Sequence, residues 1–428
     1  MQPERSTIVF TTSHLYLFWT TGVYYLWALS KQYNIVLIVN HSWKRSDEFQ
    51  RVCNLLGLVT VFYIRTQKIP FVNHWIYSSN FKKILRQYKP SIIFQHNFRW
   101  MDNQYLYYWA SKLLPACAVV VYTNGQLRMT DDRAIYKEAR KKAVRYLSDT
   151  FRLPQRVIWY LLGIKRIVKS ALDIYLMPFL LLGKSFLPLR EFFQIKENPN
   201  FDFLLVYHAF EKERVAGQRR VDGRVIVIQH PVETCGEACN RMLYGLEQER
   251  LVTILPSMIG HRSFQEERAA LDKWIQAISI LRDKFVGFDI ILKLHPGTKS
   301  NPDLSYTTEY LKKMIPELTI IDPEEKAEKW ILKSRVVVSD VSTTLWFADF
   351  LKNKIVVSFD MKDFVGSDDM KYHERIFCFD SLEKLRDCDF RRAVLCSERQ
   401  QRSPERKLPT LLEFLACLEK GGSFPDLK

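Results

Sequence analysis

Two short stretches of the 428-residue sequence carry residue types suited to holding a phosphate. In the first, an apolar run ends in His295 and Pro296. In the second, a β-branched run ends in Asp340, before an apolar run of helical character. Three hydroxyl residues follow Asp340, namely Ser342, Thr343 and Thr344. The start of a helix is well capped by Ser and Thr, and its dipole favours an anion. The two stretches therefore predict a phosphate or diphosphate site.

Short β-rich runs alternate with helical patterns along the chain, which predicts βαβ units in doubly wound parallel sheets. The predicted strands cover residues 7–10, 34–39, 59–63, 91–94, 118–122, 203–207, 224–228, 251–255, 289–294, 318–321, 335–339, 355–359 and 376–379. Ligands of such sheets bind at the carboxyl ends of the strands. We therefore expect His295 and the hydroxyl residues after Asp340 to face one crevice.

The chain is long enough for two domains, each with its own core. We predict an α/β protein with an N-terminal Rossmann-like domain over residues 1–245 and a C-terminal one over 246–395, facing each other across a cleft. A helical tail is expected over 396–428. The N-terminal domain is interrupted by a basic and apolar insertion over 133–196, which carries 14 Lys and Arg against 4 Asp and Glu.

The formal net charge of +16 implies an acidic partner. Because the excess falls in the insertion, among Leu, Ile, Trp and Phe, it suits helices that lie in the interface of an anionic membrane. Ordinary helices, whose Lys and Arg stems reach out to water, are the alternative. No nucleic acid partner is expected, since no nucleic-acid-binding motif accompanies the charge.

Neither a metal nor a cofactor is implied by the sequence. The eight cysteines are scattered, and the pair Cys235 and Cys239 has no second pair or histidine at zinc spacing. No Asp-x-Asp pair stands at a predicted strand end. The uncharged run over residues 6–30 contains polar interruptions, which favour a strand, a loop and a buried helix over a membrane span.

The ordered motifs of the second half resemble those of the CDP-glycerol glycerophosphotransferases. They comprise residues 251–257 with Arg262, the His295-Pro296 pair, the stretch from Asp340 to Thr343, and residues 354–360. The His-Pro pair and the hydroxyl pair are also similar to those of bacterial polysialyltransferases and of the Kdo transferases of capsule assembly, which use CMP-sugars. The resemblance covers about residues 251–380, and the first half only by architecture.

The resemblance implies a metal-independent glycosyltransferase of the GT-B type, or a polyol-phosphate transferase. It would move a sugar from a CMP-, CDP- or UDP-linked donor to a cell-surface polysaccharide or lipid-linked acceptor. Such an enzyme would serve capsule or lipopolysaccharide synthesis as a peripheral protein of the inner face of the cytoplasmic membrane. The residues to which donor binding is carried over are Arg262, Lys293, His295, Pro296, Asp340, Ser342, Thr343 and Thr344. A nucleotide-sugar epimerase or hydrolase of similar build, and a non-catalytic scaffold of a polysaccharide assembly complex, are the alternatives.

The resemblance also places a general base just after the fifth strand, where this chain has Thr123, Asn124 and Gly125. Neither threonine nor asparagine can act as a base near neutral pH. We therefore assign the base to His96 first and His14 second, and place Asn124 and Gly125 on the acceptor side. A retaining reaction without such a base, or a loss of catalysis, would also explain the difference.

Overall fold

The computed structural model describes residues 5–12, 18–58, 60–65, 70–96, 101–123, 201–216, 224–256, 259–260, 263–340, 343–351, 354–359, 376–390 and 408–419, with the single residues Pro154 and Val157. Two compact units divide the chain. The N-terminal unit comprises residues 1–18 and 29–227, and the C-terminal unit comprises 19–28 and 228–428. The boundary between the units lies at residues 227 and 228, whereas the sequence-based boundary was placed at residue 245. The insertion over 133–196 lies outside the described residues, apart from Pro154 and Val157.

The described part of the N-terminal unit is built on a seven-stranded parallel sheet with the order β3-β2-β1-β4-β5-β6-β7. Its strands are β1 (Thr7–Thr11), β2 (Asn34–Asn40), β3 (Thr60–Ile64), β4 (Ile92–His96), β5 (Ala118–Tyr122), β6 (Phe203–Val206) and β7 (Arg224–Val227). The central strands β1 and β4 are nearly continuous apolar runs and are buried, as expected of a parallel sheet covered on both faces.

Helices connect these strands, and the turn after β2 shows how the sequence starts one. Ser46 accepts a hydrogen bond from the N–H of Phe49 (3.3 Å), and Asp47 and Glu48 complement the dipole of the helix that follows. The helices of this unit are α2 (Asp47–Leu55), α3 (Pro70–Tyr88), α4 (Met101–Leu113) and α5 (Ala209–Ala216), with a 3₁₀ turn over His41–Arg45. Helix α3 is longer than its strongest sequence pattern, residues 78–88, and it begins at a proline, which is well tolerated in a first turn.

The C-terminal unit has a six-stranded parallel sheet among its described residues, with the order β10-β9-β8-β11-β12-β13. Its strands are β8 (Glu249–Leu255), β9 (Asp289–Lys293), β10 (Thr319–Ile321), β11 (Ser334–Ser339), β12 (Ile355–Phe359) and β13 (Ile376–Phe379). Both sheets therefore wind outwards from their first strand in two directions. The winding reverses between β1 and β4 in one sheet and between β8 and β11 in the other, and such switch points are where open α/β sheets bind ligands.

Helices of the C-terminal unit pack apolar stripes against this sheet. In the longest, Leu271, Trp274, Ile278 and Leu281 follow helical spacing and lie in the main hydrophobic core. The helices are α6 (Pro231–Tyr244), α7 (Phe264–Lys284), α8 (Leu304–Met314), α9 (Ala327–Lys333), α10 (Thr343–Phe350), α11 (Leu382–Asp387) and α12 (Leu411–Glu419), with a 3₁₀ turn over Pro296–Ser300.

The uncharged run near the start of the chain contributes a buried segment to the C-terminal unit. It forms a π-helical turn over Phe18–Gly22 and α1 (Val23–Ser30), of which residues 19–28 belong to that unit. The hydroxyl of Tyr24 donates to the Asn240 side chain (2.7 Å), and its ring contacts Phe347 with centroids 5.9 Å apart. The predicted buried helix is thus confirmed. Within the described ranges, no helix is both long enough and apolar enough to cross a bilayer.

Candidate functional site

Three strands of the C-terminal sheet end at the edge where His295 and Asp340 lie. Strands β8 and β11 are neighbours at the switch point, and β9 lies on the other side of β8. His295 follows the end of β9, and Asp340 follows the end of β11 directly. We call the carboxyl ends of β8, β9 and β11, with the residues that follow them, the edge site. The grouping expected from the sequence is therefore present in the strand order.

His295 is an exposed polar residue of the edge site, and its ring is held by its own turn. It caps the 3₁₀ turn, where its Nδ1 accepts a hydrogen bond from the N–H of Gly297 (3.0 Å). Because Nδ1 accepts, the ring proton of the neutral imidazole resides on Nε2. This hydrogen bond fixes the orientation of the ring at the start of the turn.

The loop after β8 and the turn after β9 support each other. Gly260 has a φ of 84°, and a Cβ atom built on it would lie 2.9 Å from Cγ2 of Thr298. The Thr298 hydroxyl donates to the carbonyl of His295 (2.8 Å), and the Asn301 side chain donates to the carbonyl of Gly260 (2.8 Å). These contacts couple the position of the His295 backbone to a glycine on the neighbouring loop.

A buried carboxylate on a neighbouring helix also holds the loop after β8 in place. The N–H of Gly260 donates to Glu267 on α7 (2.6 Å), and Glu267 is buried. Helix α7 itself begins with a capping box between Ser263 and Glu266. The loop after β8 is thereby fixed at its glycine and at its entry into the helix, which preorganises the edge site.

The end of β11 presents a carboxylate and the start of a helix. Asp340 is 8% exposed, and the Ser339 hydroxyl lies within hydrogen-bond distance of both the Leu255 carbonyl and Asp340, so its single proton can be donated to either. Helix α10 then begins at Thr343, with Thr344 half-buried in its first turn. The N–H groups of this first turn can receive an anion, whereas the carboxylate of Asp340 can accept hydrogen bonds from hydroxyl groups but not from a phosphate dianion.

Lys293 occupies a different position from the one the sequence suggested. Its side chain is 2% exposed, and its Nζ donates to the backbone carbonyls of Leu294 (2.6 Å) and Pro323 (2.9 Å). Burial lowers the pKa of Lys293 to about 8, although Asp322 and other nearby carboxylates act in the opposite direction. Because its hydrogen bonds tie the end of β9 to the turn after β10, we assign Lys293 a structural role and not a donor contact.

Two other predicted donor-binding residues, Arg262 and Ser342, lie outside the described residues. Pro296 is the first residue of the 3₁₀ turn and fixes the backbone direction after His295. No cluster of three or more metal-ligating side chains occurs in the part of the chain that the structure describes.

At the corresponding edge of the N-terminal sheet, the described side chains pack against one another. Asn103 accepts a hydrogen bond from the Thr11 hydroxyl (3.0 Å) and donates to the carbonyl of His96. The His96 ring is 3% exposed and lies edge-on to Tyr122, with ring centroids 5.1 Å apart. His14, Asn124 and Gly125 lie outside the described residues. His96 is thus at the predicted strand end, but as part of a packed edge.

Sequence reasoning missed the residues that support the edge site. Gly260, Glu267, Thr298 and Asn301 form the contacts that hold the two loops together. The glycine after a first Rossmann strand was an available signal, since such loops need close backbone approach. The remaining three carry no local signal, because their partners lie on other elements.

Solved structures with this chain's architecture share it over nearly their whole length. A UDP-GlcNAc 2-epimerase from Methanocaldococcus jannaschii is 13% identical with a TM-score of 0.57, covering 98% of this chain and 100% of its own. The UDP-GlcNAc 2-epimerase of Neisseria meningitidis bound to UDP-GlcNAc is 12% identical with a TM-score of 0.55, and the match covers 97% of this chain and 99% of that one. A third structure, S. aureus MnaA with UDP, is 10% identical with a TM-score of 0.52, and the match covers 92% of this chain and 91% of that one.

At this level of identity the similarity concerns the fold alone. No protein-family model and no curated protein sequence matches the chain. The resemblance to glycerophosphotransferases and polysialyltransferases therefore stays a prediction. The two Rossmann-like units and their similarity to these structures establish an α/β protein with a fold of the GT-B type.

Proposed function

We propose that the C-terminal unit binds the diphosphate of a nucleotide-activated sugar at the edge site. The observation that carries this proposal is the exposed His295 ring at the carboxyl end of β9, which is fixed by the hydrogen bond that its Nδ1 accepts from the Gly297 N–H. The start of α10 after β11 supplies backbone N–H groups to the same edge. These protein groups would also stabilise the negative charge that develops on the departing nucleotide during transfer.

Asp340 takes a different part in this proposal from His295. A carboxylate cannot donate to phosphate, but it accepts well from hydroxyls. Its burial and its hydrogen bond from Ser339 (3.3 Å) hold it in place at the switch point. We therefore assign Asp340 to a hydroxyl of the donor, and Thr343 and Thr344, with Arg262 and Ser342, to the region around the phosphates.

The proposed reaction is transfer of a sugar from this donor to a polysaccharide or lipid-linked acceptor. His96, with His14 as the second candidate, remains the proposed base. A buried His96 reaches a substrate only if its ring turns away from Tyr122. His96→Ala should then lower kcat while nucleotide affinity stays unchanged. Unchanged turnover in this variant would remove His96 from the proposal.

A nucleotide-sugar epimerase is the second candidate, and a specific observation favours it. The solved structures with TM-scores of 0.57 and 0.55 are both UDP-GlcNAc 2-epimerases and match the chain end to end. An epimerase converts UDP-GlcNAc without any acceptor, whereas a transferase releases nucleotide in proportion to the acceptor added. NMR of UDP-GlcNAc incubated with the protein alone separates the two: a new sugar configuration at constant nucleotide-sugar concentration would favour epimerisation.

The donor proposal is tested by titrating CMP, CDP, UDP and GDP into the protein and into its His295→Ala variant. The matched control is His41→Ala, which removes an exposed histidine from the N-terminal unit. We expect one nucleotide to be preferred and its affinity to be lost selectively in His295→Ala. Equal affinity in all three proteins, or no binding at millimolar nucleotide, would contradict the donor site and favour the scaffold function.

Membrane association belongs to the same proposal. It rests on the charge pattern of residues 133–196, which would hold the enzyme against the anionic inner face of the cytoplasmic membrane. Sedimentation with phosphatidylglycerol vesicles, but not with phosphatidylcholine vesicles, is the expected result. Equal sedimentation with both vesicle types, or with neither, would count against this role.

A further inference from the structure

A group of exposed cations lies at the amino-terminal edge of the N-terminal sheet. Arg5 precedes β1 by two residues, and Lys89 precedes β4, the strand that pairs with β1, by three. Lys83 and Arg86 are one turn apart in the last part of α3, which ends directly before Lys89. All four residues are exposed. Because β1 and β4 are neighbours, these residues lie close together, and we call them the basic edge.

The described residues do not balance the positive charge of the basic edge. None of its four cations forms a salt bridge or a side-chain hydrogen bond within the described part of the chain. Asp202, just before β6, is the carboxylate that the described chain places at this edge, and it accepts the N–H of Val119 (2.7 Å). Residues 49–130 contain ten Lys and Arg but a single acidic residue, Asp102. Asp102 lies in the first turn of α4, at the opposite edge of the sheet.

Lys89 has a backbone conformation that its residue type disfavours. Its φ is 40°, whereas the other described residues with positive φ are glycines. Its N–H donates to the Leu85 carbonyl (3.0 Å) just past the end of α3, a position that glycine commonly occupies. A Cβ atom makes left-handed backbone costly, and such strain marks positions where a side chain serves a purpose outside the fold. The lysine at this position therefore indicates a use for its cation.

An apolar turn lies beside the basic edge. It comprises residues 114–117 and joins α4 to β5, which pairs with β4. The N–H of Ala118 donates to the carbonyl of Ser91 (3.1 Å), which places the turn next to the residues that lead into β4. Pro115 and Ala116 are exposed at its tip, whereas the residues on either side of them pack against the core. The basic edge therefore adjoins a small exposed apolar surface.

An anionic bilayer offers a partner for both features. Its headgroups attract clustered Lys and Arg, and the boundary between headgroups and acyl chains accepts apolar side chains. A soluble polyanion would pair with the cations but would leave the apolar turn without a partner. The combination therefore favours a lipid surface.

We propose that the basic edge and the apolar turn beside it form a docking surface for an anionic lipid bilayer. This surface is separate in sequence from residues 133–196, which would add to the binding. Docking through it does not require the proposed sugar transfer.

The test is sedimentation of the full-length protein with phosphatidylglycerol vesicles and with phosphatidylcholine vesicles. The edge variant combines the charge reversals Lys83→Glu, Arg86→Glu and Lys89→Glu. Its matched control reverses three exposed cations that follow β2 and β3 at the opposite edge of the same sheet, namely Lys44→Glu, Arg45→Glu and Arg65→Glu. Both variants change the net charge by the same amount, and circular dichroism checks that both are folded.

Each Lys or Arg near an anionic bilayer strengthens binding about fivefold, so the edge variant should bind phosphatidylglycerol vesicles at least about 100-fold more weakly than the wild type. The control should stay within about fivefold of the wild type. Equal losses in the two variants would show that net charge alone governs binding and would overturn the proposal. So would tighter binding of the wild type to heparin than to the vesicles.

Lys89→Gly tests the same surface without a risk to folding. Glycine accepts the positive φ, so the midpoint of urea unfolding should not fall, while vesicle affinity should drop about fivefold. Wild-type affinity in this variant would contradict the use inferred for the Lys89 cation.

A third variant separates this surface from residues 133–196. It carries Arg140→Glu, Lys141→Glu and Lys142→Glu, within the basic and apolar insertion. Loss of binding in this variant together with full binding in the edge variant would overturn the docking surface and leave the proposed role of the insertion intact. The reverse pattern would support the docking surface and count against that role.

Discussion

The two sheets share one strand order from their first strand to their sixth, yet their carboxyl-terminal edges are built differently. In the N-terminal unit, the ends of β1, β4 and β5 are joined by Thr11, Asn103 and Tyr122, which pack the edge from within. In the C-terminal unit, the strands that correspond to these three are β8, β11 and β12, and Asp340 follows β11. The exposed His295 follows β9, the counterpart of β2, and its supporting contacts lie behind it. Duplicated topology thus supplies two switch points, and the described side chains at the strand ends differ between them.

The largest effect should come from Gly260, which lies in the edge site. Gly260→Ala adds a Cβ atom 2.9 Å from Cγ2 of Thr298, at a position whose backbone φ is 84°. The Thr298 hydroxyl in turn donates a hydrogen bond to the His295 carbonyl. Gly57 of the N-terminal unit has a φ of 66° but no neighbour within 4 Å. We expect Gly57→Ala to lower the free energy of unfolding by about 1–2 kcal/mol from backbone strain alone. Gly260→Ala should cost at least about 1 kcal/mol more.

Urea unfolding of both glycine variants measures this difference, and nucleotide titration shows whether it reaches the site. Gly260→Ala should weaken nucleotide binding through the displaced His295 turn, while Gly57→Ala should leave it unchanged. Equal stability losses in the two variants would show that the Thr298 contact is relieved without cost.

The next effect concerns the histidines at the two edges. His295→Ala removes one hydrogen-bond donor to a charged phosphate, a contact worth about 1.5–3 kcal/mol, so affinity should fall about 10- to 100-fold. His96→Ala should leave nucleotide affinity within about twofold. Isothermal titration calorimetry with the preferred nucleotide measures both. A comparable loss in His96→Ala would mean that the two edges do not differ in the way described above.

A smaller effect is expected for the asparagines that bridge loops at each edge. Asn103 connects Thr11 to the His96 carbonyl, and Asn301 donates to the Gly260 carbonyl. Asn103 is almost fully buried, whereas the Asn301 bond is partly buried. Replacement by alanine should lower the free energy of unfolding by about 1–3 kcal/mol at Asn103 and by less at Asn301. The reverse order in urea unfolding would contradict the view that the N-terminal edge is the more tightly packed.

The last effect concerns pH and is small per pH unit. The pKa of Lys354 is lowered from 10.5 to about 7 by burial, so the unfolded chain binds more protons than the folded one between these values. Stability therefore rises with pH from about 7 to about 10.5, by at most about 1.4 kcal/mol per pH unit for one group. Lys354→Met should reduce this slope, and Lys293→Met should reduce it only above about pH 8, where the Lys293 amine titrates. Urea unfolding between pH 6 and 10 measures the slopes, and an unchanged slope in Lys354→Met would show that its amine stays protonated.

Much of the secondary structure was predictable, because parallel strands buried on both faces read as short apolar, β-branched runs. Each predicted strand corresponds to an observed one, often to within one residue. Helix α6 was not predicted, since Thr234, Gly236 and Asn240 have low helix propensity and its stability comes from packing. The structural role of Lys293 could not be predicted from the sequence either. A lysine at a strand end resembles a phosphate contact until the carbonyls of Leu294 and Pro323 are seen around it.

The division into units was the least predictable feature, because no local pattern assigns residues 19–28 to the second half of the chain. Tyr24 and its partner Asn240 are 216 residues apart in sequence. A ribosome that adds about 5–20 residues per second needs about 10–40 s to make that intervening chain. Throughout that time the apolar segment from Trp19 to Ala28 lacks the surface that later buries it. During synthesis this apolar segment therefore stays without its native partners until the C-terminal unit has been made, and that unit completes its core with residues made long before the rest of it.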